Sequence, residues 1–155
     1  MVPIPETLAF FQKISTYATS TLTCYNIVSN MDENSLSHLI INRAIKVHSA
    51  LGPGLLESAY KECLYYELLK AGIAVEKEKP LPLIYEEVHL EYGYRVDLFV
   101  QGKVIVEIKS CKTLNDVHLA QVLTYLKLSG CRLGLLMNFN VPLIRNGIRR
   151  VVREL

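Results

Sequence analysis

Residues 96–109 read VDLFVQGKVIVEIK, and how this stretch is read decides the fold. Two apolar runs flank Gln101-Gly102, the pattern of two antiparallel strands joined by a tight hairpin turn. In the first run Val96, Leu98 and Val100 alternate with Arg95, Asp97 and Phe99, which puts Asp97 on the face of Phe99 rather than that of the valines. The second run would pass for a fully buried strand but for Glu107 and Lys109. Side chains in a strand alternate with a period of two, so these charges share a face. Unpaired charge is costly to bury. Either that face is wet or the pair has chemistry to do.

Outward from the hairpin, the chain alternates between helical and extended patterns. From Ser35 onward Leu36, Leu39, Ile40, Ala44, Val47 and Leu51 recur at three- and four-residue steps behind an Asn34/Ser35 cap signal. The LGPG of 51–54 ends this helix, because Gly-Pro-Gly cannot continue one. A second helix carries Leu56, Ala59, Tyr60, Cys63, Leu64 and Leu68 on one side and stops at Gly72. Strand-like sequence follows, with Pro80 and Pro82 marking an edge position or a break. After the hairpin, a third helix is expected from about Asn115 to Ser129, ended by Gly130. CRLGLLMNF, residues 131–139, then reads as a short buried strand. Strand, helix, strand from 103 to 138 is a crossover that makes the two strands parallel neighbours. The fold class is therefore mixed α/β (α+β), a central mixed sheet flanked by helices.

Length and composition bound the rest. The chain has 155 residues, half of them hydrophobic and 21% charged, which suits one globular domain. A net charge of +2 does not by itself announce a nucleic-acid binder, so basic surface must come from local clustering. The four cysteines form no C-x-x-C pair; they read as reduced thiols of a cytoplasmic protein, without a zinc site or disulfide framework. Residues 1–30 lack a basic start and a sustained apolar run, so they suit neither a signal peptide nor a membrane span. They read as a weakly ordered extension, or as a short helix around Leu8 to Tyr17 packing on the domain, or as an upstream misreading of a start at Met31. The folded domain is expected over 31–155.

Four places hold polar residues that packing alone would not choose. Glu57 lies in the opening turn of the second helix, where a carboxylate also suits the helix dipole. Asp97 sits mid-strand, although aspartate is a poor strand former. Glu107 and Lys109 follow the turn. His118, Gln121 and Tyr125 form a stripe on the third helix that is either a solvated face or a row of hydrogen-bonding groups turned to a cleft. If the hairpin pairs, Asp97 and Glu107 approach each other, and like charges at that range repel unless a cation sits between them. Two carboxylates suit Mg²⁺, a hard cation that takes few protein oxygens and keeps several waters. Such a metal polarises a phosphate and activates a bound water, while a lysine one pleat along steadies developing charge. The blander reading is a cross-strand charge pair on an exposed face, worth under about 1 kcal/mol.

VDLFVQGKVIVEIK resembles the core of the PD-(D/E)XK nuclease superfamily, with Asp97, Glu107 and Lys109 in its motif positions. Glu57 matches the additional acid that many members carry, and QVLTY matches the Q-x-x-x-Y helix motif of the RecB-like branch through Gln121 and Tyr125. More closely, GPGLLESAY resembles the signature of the GxxExxY protein family through Gly54, Glu57 and Tyr60. The likeness continues through GLLMNFNVPL and GIRR, and so covers nearly everything from Met31 onward. One departure is that Val96 stands where the superfamily often has proline before its first acid.

The resemblance implies a restriction-endonuclease-like αβββαβ core and a Mg²⁺- or Mn²⁺-dependent nuclease acting on nucleic acid, chiefly DNA, in repair or defence. It implies Glu57, Asp97 and Glu107 as metal ligands, Lys109 as the catalytic lysine, and Gln121 and Tyr125 as residues that position the backbone or the lysine. The alternative is a non-catalytic nucleic-acid-binding or protein-interaction module on the same fold. The small domain points to a homodimer or a partner protein. Arg145, Arg149, Arg150 and Arg153 cluster near the C-terminus, and arginine's fork of donors suits phosphate. They are expected to line the rim of the cleft as a nucleic-acid track.

Overall fold

The computed structural model describes residues 31–154. The expectations for residues 1–30 lie outside the described residues. The first helix, α1, spans Glu33–Leu51 and begins earlier than its apolar pattern, because Asp32 rather than Asn34 or Ser35 caps it. The Asp32 carboxylate accepts from the Ser35 backbone N–H at 2.7 Å. Asn34 is drawn elsewhere: its side-chain oxygen accepts from Arg150. Gly52, at φ 67°, ends α1 in a conformation that glycine adopts freely.

Helix α2 runs Glu57–Lys70 and buries Tyr60, Leu64 and Leu68. Leu56, expected on that apolar side, is instead the N-cap and stands 77% exposed. The five strands are β1 Val75–Tyr85, β2 Val88–Val100, β3 Val104–Lys109, β4 Leu133–Asn138 and β5 Ile148–Val152. They lie in that order across one sheet. β3 and β4 are parallel and the other neighbours antiparallel. Pro80 and Pro82 both fall in the edge strand β1, and its register shifts between Leu81 and Leu83. The edge position holds, while the expected break is only a shift of register within one continuous strand. Gln101 and Gly102 have φ 51° and 67°, as a tight hairpin turn of this hand requires.

Helix α3, Asp116–Ser129, crosses from β3 to β4 between an Asn115 cap and Gly130. It packs so close to the sheet that a Cβ at Gly134 would lie 2.5 Å from Val122 Cγ1. A short helix α4, Ile144–Gly147, leads into β5.

The sheet has two apolar faces. Leu98, Val100, Val104, Val106 and Ile108 pack with α1 and α2. Phe99, Ile105 and Leu136 pack with Val122, Tyr125 and Leu126 of α3. Each fully buried aliphatic side chain contributes about 1.5–3 kcal/mol. One expected alternation fails. Val96 joins the Phe99 face while Leu98 joins the other, so the strand breaks its own period at Asp97. Across the ladder, between the partners of Leu98 and Val96, Glu78 of β1 takes a positive φ of 53°. Among the described residues, no helix is long and apolar enough to cross a membrane.

Candidate active site

The C-terminal end of β3 carries the pair that the sequence raised. Glu107 and Lys109 point the same way, with Lys109 Nζ donating to Glu107 Oε1 at 2.8 Å. Glu107 is only 4% exposed, and its second oxygen, Oε2, is buried without a hydrogen-bond partner. Burial pushes its carboxyl up to about 7, the negative field of Asp97 adds to the rise, and the bond to Lys109 opposes it. Burial alone would lower Lys109, yet the bond to Glu107 and the field of Glu107, Glu57 and Asp97 hold it above its ordinary value. Burial is the main cause of the Glu107 shift, whereas the negative charge around Lys109 is what raises the lysine. The exposed-face reading of this pair does not survive.

Asp97 reaches the same point from β2. Ladder pairing between β2 and β3 ends at Leu98 and Val106. Beyond it, Asp97 Oδ2 accepts the Ile108 backbone N–H at 2.9 Å, taking a donor that a continuing ladder would give to the main chain of β2. Asp97 Oδ1 faces α2, where Lys61 Nζ lies 3.2 Å away.

Glu57 is delivered by a loop built around one hydroxyl. Tyr60 Oη donates to the Gly52 carbonyl at 2.6 Å and accepts from the Leu55 N–H at 3.1 Å. Its ring stacks on Phe139 with centroids 4.5 Å apart. Ser110 Oγ donates to the Leu55 carbonyl at 2.6 Å, and the Ser110 N–H points to Glu57 Oε1 at 3.3 Å. Gly54, at φ 101°, lets the chain make this turn. The spacing of Gly54, Glu57 and Tyr60 is thus a device that docks the start of α2 on the end of β3.

From the other side α3 supplies Tyr125, 3% exposed, which accepts from Gln121 Nε2 at 2.7 Å. Burial raises the Tyr125 phenol, and the Glu107 charge raises it further. His118 does not join them: its Nδ1 accepts the Asn115 N–H in a capping box.

Two expectations need correction. Among the described residues no three His, Cys, Asp or Glu side chains are gathered closely enough to hold a metal ion, so Glu57, Asp97 and Glu107 do not form a closed three-carboxylate cage. Lys61 and Ile108 engage the two oxygens of Asp97, and Ser110 engages Glu57. The four arginines, likewise, do not form one track. Strand alternation splits them: Arg150 bonds Ser37 and Asn34 of α1, while Arg153 donates to the Leu126 carbonyl of α3 at 3.2 Å. Arg145 lies on α4 beside the α1 face. Arg149 donates from Nη1 only to carbonyls of its own stretch, those of Asn146 and Ile148, both at 3.0 Å. Glu107 pairs with Leu136 and Leu136 with Arg149, which sets this exposed arginine on the same row and face as Glu107, two strands or about 10 Å away.

Sequence reading missed Lys61, Glu78 and Asn138. Asn138 is 2% exposed and clamps the chain after β3, accepting from the Cys111 N–H at 3.1 Å and donating to the Cys111 carbonyl at 2.8 Å. A polar residue closing the apolar run LGLLMN was its visible signal. Lys61 had only its four-residue step from Glu57, and such pairs are common on helices.

No curated protein and no solved structure matches the chain. A family model described as the PD-(D/E)XK nuclease superfamily matches residues 34–151, which spans α1 to β5 and includes every residue that meets at the end of β3. The chain belongs to the PD-(D/E)XK nuclease superfamily.

Proposed function

We propose that the protein is a Mg²⁺- or Mn²⁺-dependent nuclease that cleaves phosphodiester bonds in DNA, in a repair or defence role. The observation that carries this reading is Glu107 Oε2, a buried carboxylate oxygen with no partner, in a side chain bonded to Lys109 and within the negative field of Asp97. Such an atom is costly to leave bare, and a hard divalent cation is the partner that suits it. The donor set fits: Asp97 and Glu107 would hold the metal, with Glu57 adding negative charge at the same point. A bound metal would polarise the scissile phosphate and lower the pKa of a water.

The residues of the chain do the rest. Lys109 places an ammonium where charge develops on the phosphorus-bound oxygens. Tyr125, oriented by Gln121, fixes one wall of the site, and Arg149 meets the backbone of the nucleic acid on the same face. The closer likeness to the GxxExxY family rests on the Tyr60-centred loop that delivers Glu57.

Purified protein incubated with single- and double-stranded DNA and RNA, in Mg²⁺, Mn²⁺ or EDTA, tests the reading. Metal-dependent cleavage of DNA that disappears in Glu107→Gln is expected. Binding without cleavage under every condition would make the protein a non-catalytic nucleic-acid module.

A further inference from the structure

Glu78 and Asp97 face one another across the β1–β2 ladder. Their neighbours pair as Lys77 with Leu98 and Lys79 with Val96, and the positive φ of Glu78 falls at the position between. Two carboxylates directly opposite on a ladder repel. Lys61 of α2 lies between them, with Nζ 2.8 Å from Glu78 Oε1 and 3.2 Å from Asp97 Oδ1. Its side chain is 15% exposed, whereas that of Glu78 is 43% exposed. One ammonium therefore serves an outer acid in contact with solvent and an inner acid that belongs to the site.

The geometry points to Lys61 as the resident counter-cation of the metal site, a positioning residue that sets how tightly the metal binds. In the metal-free protein it neutralises Asp97. A divalent cation arriving at Asp97 repels it, and Glu78 is the second acceptor that lets the ammonium leave without losing its partner. This inference rests on the metal reading of Asp97 and Glu107. It adds that Lys61 and Glu78 together form a charge relay outside the ligand set, with opposite effects on metal affinity.

Mn²⁺ titrations by calorimetry, with no nucleic acid present, test it. Lys61→Met removes the competitor and should tighten the Mn²⁺ dissociation constant about tenfold, the equivalent of roughly 1.4 kcal/mol. Glu78→Gln removes the refuge and should weaken it about threefold. Arg95 also pairs with Glu78, at 3.4 Å on its exposed side; in the double variant Glu78→Gln should still add nothing further, because Glu78 acts on Asp97 through Lys61. Should Lys61→Met not fold, the Glu78→Gln result decides the matter alone, since that substitution is at the solvent-exposed partner. Dissociation constants within twofold of wild type in Glu78→Gln, or additive effects in the double variant, overturn the inference. Asp97→Asn separates the two levels. If it abolishes Mn²⁺ binding while Lys61 and Glu78 variants bind normally, the metal reading stands and only the relay is wrong. If it binds Mn²⁺ as wild type does, the metal reading falls and the relay falls with it.

Discussion

At its N-terminal end β3 carries Val104, Ile105 and Val106, all fully buried between the α1–α2 layer and α3. At its C-terminal end the same strand carries Glu107 and Lys109, ionisable side chains that are 5% and 15% exposed. The backbone pairs with β4 throughout, so hydrogen bonding does not separate the two halves. What separates them is β2, which follows β3 as far as Val106 and then yields its place to the Asp97 carboxylate. A strand can thus be core for half its length and site for the rest, provided a neighbour withdraws at the right residue.

Substitutions in the two halves should fail in different ways. Ile105→Ala should cost about 2–5 kcal/mol of stability, from lost burial and the cavity left behind, and should leave turnover per folded molecule unchanged. Urea unfolding together with activity normalised to the folded fraction checks this. Lys109→Ala should do the reverse: a smaller loss of stability, because Glu107 can hold a proton once its ammonium partner is gone, and cleavage slower by about 10²–10³. A Lys109 variant that cleaves as fast as the parent would move that half of β3 back to the structural role of the first.

The pH dependence of stability sharpens the contrast further. Glu107 has a native carboxyl at about 7, above its ordinary 4.5. Between those values the native state holds a proton that the unfolded chain has released. Stability therefore falls as pH rises through this window, by about 3 kcal/mol at most, and the whole penalty is present above pH 7. Urea unfolding in EDTA from pH 4 to 8 should show this slope, and Glu107→Gln should remove it. No substitution in the apolar half should alter the slope.

The smallest effect concerns the outer row. Arg149→Ala should weaken DNA binding alike for all sequences and lower the salt slope by about 1. Arg150→Ala should leave the slope alone and cost about 1 kcal/mol of stability, because its guanidinium is tied to Ser37 and Asn34. Equal slopes for both variants would remove Arg149 from the nucleic-acid surface.

Most of the scaffold was legible because each boundary had a local cause. Asn115 and Gly130 bracket α3, Gln101-Gly102 makes the hairpin turn, and the prolines mark the edge strand. The negative field of Asp97 at Glu107 is in keeping with pairing across that turn. The period break at Asp97 was not legible: it coincides with a positive φ at Glu78 across the ladder, and glutamate carries no preference for positive φ. Lys61 was hidden for a similar reason: its two partners come from different strands, and only the docked position of α2 brings them to one ammonium. The arginines misled because adjacency in sequence along β5 means opposite faces in space.

The Asp97 bond to Ile108 also bears on how such a protein can change over generations. That carboxylate is a register pin: sliding β2 by one residue would replace it with an apolar side chain and leave the Ile108 N–H unclaimed. A lineage that abandoned cleavage would therefore still be selected to keep an acceptor at this position. Glu107 has no such second duty, since its ionised form weighs against the fold whenever no metal is present. Decay of an inactive descendant should begin at Glu107 and reach Asp97 late. The order in which these acids disappear would record when the chemistry was lost.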